Sequence, residues 1–390
     1  MNALVLTPSS RDVSLVQLPR PTPGPGEVLI RVHAIALNPV DALYVTHPIA
    51  RQESRVIGTD FAGVVVGLSP DLAESNDART KAGVRVAGFL QGACSTNDRP
   101  GAFAEYITAP YDLIWRVPDR LSLEAASAIS MCGLTAAQGV FDRLGLPSPF
   151  SPAADFHLGH GDVDTPISVF IYGASTSLGL YAAQLVNLSA RTTGRKIRLI
   201  GAASASKHAL LREEPYAYDV LVDYRDQDWE EKVREATGGE GVDYAVDCIS
   251  EGVTVEKTHA TLGADARMAV FRGPAGGKYD PAKLRVKPIY GAVWEGLGVE
   301  IGYNGQTIPA SARARDFAAR FFAFLGSEAD EGKVKLEANP LRVMPGGLQR
   351  VVADGFALLG ADGVATRAAV KRDEEYMRPI SAEKMVYLIE

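Results

Sequence analysis

The sequence predicts an α/β protein of two domains. Both chain ends (residues 1–133 and 303–390) build a β-rich domain, and a doubly wound parallel sheet (134–302) is inserted between them. Three observations carry this. Short branched-aliphatic segments separated by turn residues fill the first 120 residues. From Ile167 onward, apolar strands alternate with helical segments. The chain then ends in the strand-like run KMVYLIE (Lys384 to Glu390), which can return to the N-terminal sheet.

In the first region, Val28 to Asn38 follows the turn PTPGPGE, and Phe61 to Leu68 and Ala82 to Phe89 have the same character. Ser122 to Leu144 changes to helical spacing, with Ser122 and Glu124 at its start. The Pro- and Ser-rich stretch from Pro147 to Pro166 reads as an exposed insertion. Five strand segments follow: Ser168 to Tyr172, Ile197 to Ala202, Val220 to Tyr224, Val242 to Ile249 and Arg267 to Gly273. Helical segments lie between them at Leu178 to Ala190, Lys207 to Glu214 and Trp229 to Gly238. This alternation means βαβ units and a parallel sheet. Near the end, Ala312 to Gly326 is strongly amphipathic.

The totals narrow the function. A chain of 390 residues with 46% hydrophobic and 22% charged residues is an ordinary globular protein. A net charge of -7 argues against a nucleic-acid partner, which needs a positive face. No apolar run reaches the roughly 20 residues of a membrane span, and the N-terminus lacks the pattern of a signal peptide, so a cytoplasmic location is expected. The three cysteines, Cys94, Cys132 and Cys248, are scattered and odd in number, and read as small buried hydrophobes. No metal site is expected. His157 and His160 are close in sequence, but they lie in the insertion.

The central signal is VFIYGASTSLG (Val169 to Gly179): a buried strand, a turn of small residues, then a helix. Such a helix start receives a dinucleotide pyrophosphate, because its N–H groups and dipole favour an anion. The match to G-x-G-x-x-G is partial, since in register only Gly179 survives. Ser175, Thr176 and Ser177 offer hydroxyls to phosphate where glycine would offer only backbone. The second strand then ends in GAASASKH (Gly201 to His208), with no acid for a ribose 2′-hydroxyl. Ser204, Ser206 and Lys207 suit a 2′-phosphate instead, which selects NADPH.

Several further stretches carry a family resemblance. They are ALNPVDALY (Ala36 to Tyr44), IGTDFAGVVV (Ile57 to Val66), GAFAEYI (Gly101 to Ile107), CGLTAAQ (Cys132 to Gln138), VDYRD (Val222 to Asp226), DCIS (Asp247 to Ser250), PGGLQRV (Pro345 to Val351) and SAEKMVYLI (Ser381 to Ile389). Together with YGASTSLG, this ordered set resembles the zinc-independent medium-chain dehydrogenase/reductases of the quinone-oxidoreductase-like branch. Within that branch it is most similar to the trans-acting enoyl reductases of fungal polyketide pathways.

The resemblance implies a GroES-like catalytic domain carrying an inserted Rossmann domain. It implies NADPH as cofactor, an acyl carrier protein of a polyketide synthase as transient partner, and reduction of an α,β-unsaturated thioester. It places Val40, Asp41, Ala42 and Leu43 at the nicotinamide end, Ser175 to Gly179 (including Leu178) at the pyrophosphate, and Ser204, Ser206, Lys207, His208 and Tyr224 around the adenosine phosphate. Phe271 and Arg272 would touch nicotinamide, and Ser381, Ala382 and Glu383 would close over the cofactor. Asn38 and Thr135 are the catalytic candidates. Ala136, Ala137, Gly139, Val140 and Arg143, with Ile289, Tyr290, Gly291, Ala292 and Val293, would line the substrate side. Zinc-dependent members place catalytic ligands where this chain has Asn38 and Gly58-Thr59-Asp60. Relatives often carry a lysine at the position of Leu43. Two other readings stay open at this stage: a quinone or small enone as free substrate, and an NADPH-binding protein repurposed for a non-redox step.

Overall fold

The structure is a computed structural model that describes residues 1–151, 165–303, 305–360 and 372–389. Most of the 147–166 insertion, with His157 and His160, lies outside the described residues. The chain divides into two compact units, Met1–Met131 with Trp294–Glu390, and Cys132–Val293. The sequence-drawn limits were 133/134 and 302/303. Trp294 packs on Phe89 with ring centroids 6.1 Å apart, and Ile301–Tyr303 pairs with Gln306–Ile308, which accounts for residues 294–302 lying with the β-rich unit. Among the described residues, no helix is long and apolar enough to cross a membrane.

The β-rich unit is built on a seven-stranded sheet. Its order is Leu341–Met344, Lys384–Leu388, Glu27–Ala36, Asp60–Leu68, Arg85–Phe89, Ile114–Arg116, with Tyr106–Pro110 also paired to Glu27–Ala36. The C-terminal strand is antiparallel to Glu27–Ala36, with Val386 opposite Ala36, so the tail returns to the N-terminal sheet as the alternation predicted. Ile30, Ile35, Phe61 and Phe103 fill the core. Gly63 is obligatory for the sheet, because a Cβ there would stand 2.1 Å from the Arg31 carbonyl oxygen. The amphipathic segment forms the helix Ala312–Leu325, capped by Ser311, and buries Ala318, Phe321, Phe322 and Leu325.

The second unit holds a six-stranded, all-parallel sheet in the order Val220–Val222, Ile197–Ala202, Ile167–Tyr172, Val242–Asp247, Leu262–Val270, Ile289–Tyr290. Numbered along the chain, that is 3-2-1-4-5-6, the doubly wound order whose direction reverses beside the first strand. Strands buried on both faces read as continuous apolar runs, which is why they were visible in sequence. Phe170 stacks on Trp229 at 5.7 Å, at the heart of this core.

Some segments differ from expectation. The run Ser122 to Leu144 is three pieces: helices Leu123–Ser127 and Ser130–Ala137, then a π-helical turn over Gln138–Arg143. The segment after Asn38 is a helix, Pro39–Thr46, and the substrate-side strand shortens to Ile289–Tyr290.

Candidate functional site

In the parallel-sheet unit, the first strand ends at Tyr172 and the chain turns through Gly173, whose φ of 75° lies in the left-handed region. Thr176 then caps the 17-residue helix Ser177–Thr193. Its hydroxyl accepts the Gly179 N–H at 3.0 Å and donates to the Gly173 carbonyl at 2.8 Å. The expectation that the Thr176 hydroxyl donates to phosphate is therefore replaced by a capping role. Gly179 permits the tight turn, because a Cβ there would meet the Gly173 oxygen at 2.3 Å. Ser175, Ser177 and Leu178 are part-exposed around the helix start, and the first helical turn contains no acid. An anion meets aligned N–H groups and a favourable dipole end here.

The ends of the second and third strands meet beside this turn. The Ser204 and Tyr224 hydroxyls lie 3.5 Å apart, and Tyr224 is 41% exposed. Ser206 is exposed and Lys207 half-buried. His208 is turned inward, its Nε2 3.2 Å from the Ala203 carbonyl. Two neighbours escaped the sequence reading. The Arg225 guanidinium lies 5.1 Å from the Tyr224 ring centre and 3.6 Å from the Asp223 carboxylate, so it adds a paired cation to the group. Asp223 accepts the N–H groups of Ala205 and Arg225, both at 2.9 Å, and these bonds hold its carboxyl below the usual range. Both residues stand in VDYRD, so the signal was present.

At the far ends of the fourth and fifth strands, DCIS folds into a hydrogen-bonded turn. Asp247 is fully buried and accepts Ile249 N–H, Ser250 N–H and the Thr254 hydroxyl at 2.9, 2.8 and 2.7 Å. Burial pushes its carboxyl up and these bonds pull it back. The Ser250 hydroxyl in turn accepts the Phe271 N–H at 2.9 Å. Phe271 lies over Gly139, where a Cβ would come within 2.7 Å of its ring. Arg272 pairs with Glu251 at 2.8 Å.

The expected substrate residues of this unit partly converge. The Arg143 guanidinium, on a residue only 5% exposed, lies against Gly291, where a Cβ would stand 2.3 Å from its nitrogen. The π-helical turn brings Gly139 to Phe271 and Arg143 to Gly291 together. Such turns concentrate at functional sites. Ala136, Ala137, Val140, Ala292 and Val293 are buried, Thr135 and Ile289 are half-buried, and Tyr290 is 39% exposed.

In the β-rich unit, Asn38 is 2% exposed and both ends of its amide are engaged. Its NH2 donates to Thr59 Oγ1 and Asp60 Oδ2, each at 2.8 Å, and its oxygen accepts Lys384 Nζ at 2.5 Å. Lys384 also pairs with Asp60 at 3.2 Å, and Asp60 accepts the Met131 N–H at 2.9 Å. Asp41 accepts the Asn38 N–H at 2.7 Å and the Thr59 hydroxyl at 3.2 Å, which starts the helix Pro39–Thr46. Burial, with Asp60 nearby, pushes the Asp41 carboxyl up to about 7. Burial raises Asp60 as well, against the pull of Lys384. In this unit sequence reasoning missed Lys384, because its partner Asn38 is 346 positions away.

The other expected residues of this unit lie on the same elements. Ala42 is buried, Val40 and Leu43 are half-buried, and the Val40 carbonyl is 3.9 Å from Cys94 Sγ. Ser381 is exposed and Ala382 has a φ of 56°. Glu383 is held by Arg342 (2.9 and 3.2 Å) and Arg378 (2.9 Å), which occupies its carboxylate. Among the described residues, no three His, Cys, Asp or Glu side chains converge to hold a metal.

A β-rich unit closed by the chain's own C-terminal strand, with a 3-2-1-4-5-6 parallel sheet inserted in it, defines the medium-chain dehydrogenase/reductase class. The comparisons agree. Residues 24–119 match the alcohol dehydrogenase GroES-like domain, and residues 178–292 match the zinc-binding dehydrogenase family. The chain is 31% identical over 339 residues to the trans-enoyl reductase thnE of Trichoderma harzianum, covering 83% of each chain. Among solved structures it resembles the CurK enoyl reductase, with a TM-score of 0.69, 19% identity and coverage of 99% and 98%. It also resembles a mycobacterial protein in complex with NADPH, with a TM-score of 0.66, 23% identity and full coverage of both chains. The chain belongs to the trans-enoyl reductases of the medium-chain dehydrogenase/reductase family, and is an oxidoreductase.

Proposed function

We propose that this chain is an NADPH-dependent, trans-acting enoyl reductase. Its substrate would be the α,β-double bond of a polyketide thioester carried on the acyl carrier protein of a synthase. The observation that carries the reading is the acid-free, Thr176-capped helix start beside Ser204, Lys207, Tyr224 and Arg225. The family membership and the NADPH complex of a structural neighbour support it.

The residues present fit the cofactor. The turn at Gly173 and Gly179 is tight enough for backbone to approach a pyrophosphate, and the N–H groups at the start of the helix would bind it. Ser204, Ser206, Lys207, Tyr224 and Arg225 would hold the 2′-phosphate by charge-assisted hydrogen bonds. Val40, Asp41, Ala42 and Leu43, together with Ser381, Ala382 and Glu383, are proposed as further cofactor contacts. Asn38 would be a positioning residue, since its amide ties that helix to Asp60 and Lys384. When bound, reduced cofactor would supply a hydride to the β-carbon, and a proton from water would complete the α-carbon. The chain's own contribution is to orient the enoyl group along Thr135, Gly139, Val140 and Arg143 and to steady the developing enolate oxygen. The Thr135 hydroxyl and the Arg143 guanidinium are the candidate donors.

The test is turnover of NADPH with a crotonyl-pantetheine thioester, beside a quinone and a free enone. Preferred reduction of the thioester is the expected result. Reduction of the quinone alone would reassign the substrate class, and product formation without NADPH consumption would replace reduction with a non-redox step.

A further inference from the structure

The segment from Lys278 to Lys287 is a concentration of positive charge on an acidic protein. Its four cations, Lys278, Lys283, Arg285 and Lys287, are all exposed, and its one acid is Asp280. The Asp280 carboxylate is turned to its own chain, where it accepts the Ala282 N–H at 2.9 Å. Among the described residues none of the four cations makes an ion pair. Elsewhere in the same unit, Lys232, Lys257 and Arg272 each hold a carboxylate at 2.8 Å.

Two of the four are anchored. Arg285 donates to the carbonyls of Ala264 and Gly263 at 2.7 and 2.8 Å. Lys287 donates to those of Pro281 and Leu284 at 2.7 and 2.9 Å, which folds it back on the turn that carries Lys283. These two side chains are therefore partly prepaid in side-chain entropy. His259, whose Nε2 accepts the Val286 N–H at 3.1 Å, has its pKa lowered by burial and then by Arg285 and Lys287, which marks a positive local field. The segment runs directly into Ile289–Tyr290 and Gly291–Val293, the stretch proposed to line the substrate.

We infer that Lys278, Lys283, Arg285 and Lys287 form the docking surface for an acidic face of the carrier protein that delivers the enoyl chain. This rests on the carrier-bound substrate proposed above. A cationic patch beside the substrate-lining strand raises the encounter rate with an acidic partner and fixes its approach, and salt screens the effect.

The experiment compares kcat/KM on a carrier-protein-bound enoyl thioester with kcat/KM on the same acyl group carried by pantetheine. Lys278→Glu/Lys283→Glu leaves the anchored Arg285 and Lys287 in place, and its melting temperature reports folding. Adding Lys287→Glu extends the reversal to three of the four cations. Arg191→Glu/Arg212→Glu, at two exposed cations elsewhere in the unit, changes net charge equally and is the control. The double variant should lose about 10-fold in kcat/KM on the carrier-bound substrate at low salt, through KM, and the loss should shrink at high salt. Turnover of the pantetheine thioester and of the control variant should stay within about 2-fold of the parent. If the variants match the parent on carrier-bound substrate while the parent prefers that substrate, the docking surface is wrong and the reductase reading stands. A parent with no preference for the carrier-bound form also overturns the surface. A parent that reduces neither thioester overturns the reductase reading and the surface with it.

Discussion

The helix start at Thr176 and the buried network around Asn38 handle charge in opposite ways. The first gathers N–H groups, hydroxyls and two cations around a part-exposed turn and keeps acids out of the first helical turn. The second seals two carboxyl groups, an amide and an ammonium inside the β-rich unit, with Lys384 paired to Asp60 and Asp41 held by the Asn38 N–H and the Thr59 hydroxyl. One arrangement is prepared for an anion that comes from outside. The other is nearly complete in itself and holds a helix in place. Their difference teaches that polar residues in a motif do not declare a role until their partners are known.

The contrast can be broken most severely at Lys384. Lys384→Met leaves Asp60 buried without its cation, and unfolding by urea should show a loss of about 3–5 kcal/mol. Asp60→Asn in the same chain should restore much of that loss, and no restoration would mean the pair is not coupled.

The pH dependence is the next effect. Asp41 is raised to about 7 in the folded chain, above its unfolded value, so the folded state binds more protons between those two values. Stability should fall as pH rises from about 4 to about 7 and level off above, by an amount on the order of 2–4 kcal/mol. Asp60, Lys384 and Cys94 face the same carboxyl. Asp41→Asn should flatten this slope and make the protein more stable at pH 8. An unchanged slope would assign it to another group.

At the nucleotide end, Lys207→Ala/Arg225→Ala should weaken NADPH binding by about 10- to 100-fold and NADH binding by less than about 3-fold, read by titration. Equal losses would remove both residues from the 2′-phosphate. Smallest of all, Thr176→Ala deletes one helix cap and should cost about 1 kcal/mol in thermal unfolding, with a matching modest loss of cofactor affinity. No change in melting would separate the cap from stability.

Much of the fold was legible because its signals are local. The parallel strands are apolar runs, the helices between them keep their period, and the tail KMVYLIE reads as a strand in isolation. What stayed hidden depends on distant contacts. Ser122 to Leu144 looked like one helix, since nothing in its spacing announces that Gly139 must admit the Phe271 ring through a π-helical turn. Asn38 read as a catalytic candidate from the family resemblance, and only the folded chain brings Lys384 to it. Thr176 looked like a phosphate donor, but its hydroxyl is already spent on Gly173 and Gly179. Arg225 was in view beside Tyr224, and only the geometry shows the cation over the ring.

The most direct test of the central claim is a fluorescence titration of the unmodified protein with NADPH and, separately, NADH. Saturable binding of NADPH, tighter than NADH by at least about 10-fold, is what the acid-free helix start and its cations require. Equal affinity for the two, or binding of neither, would contradict the account.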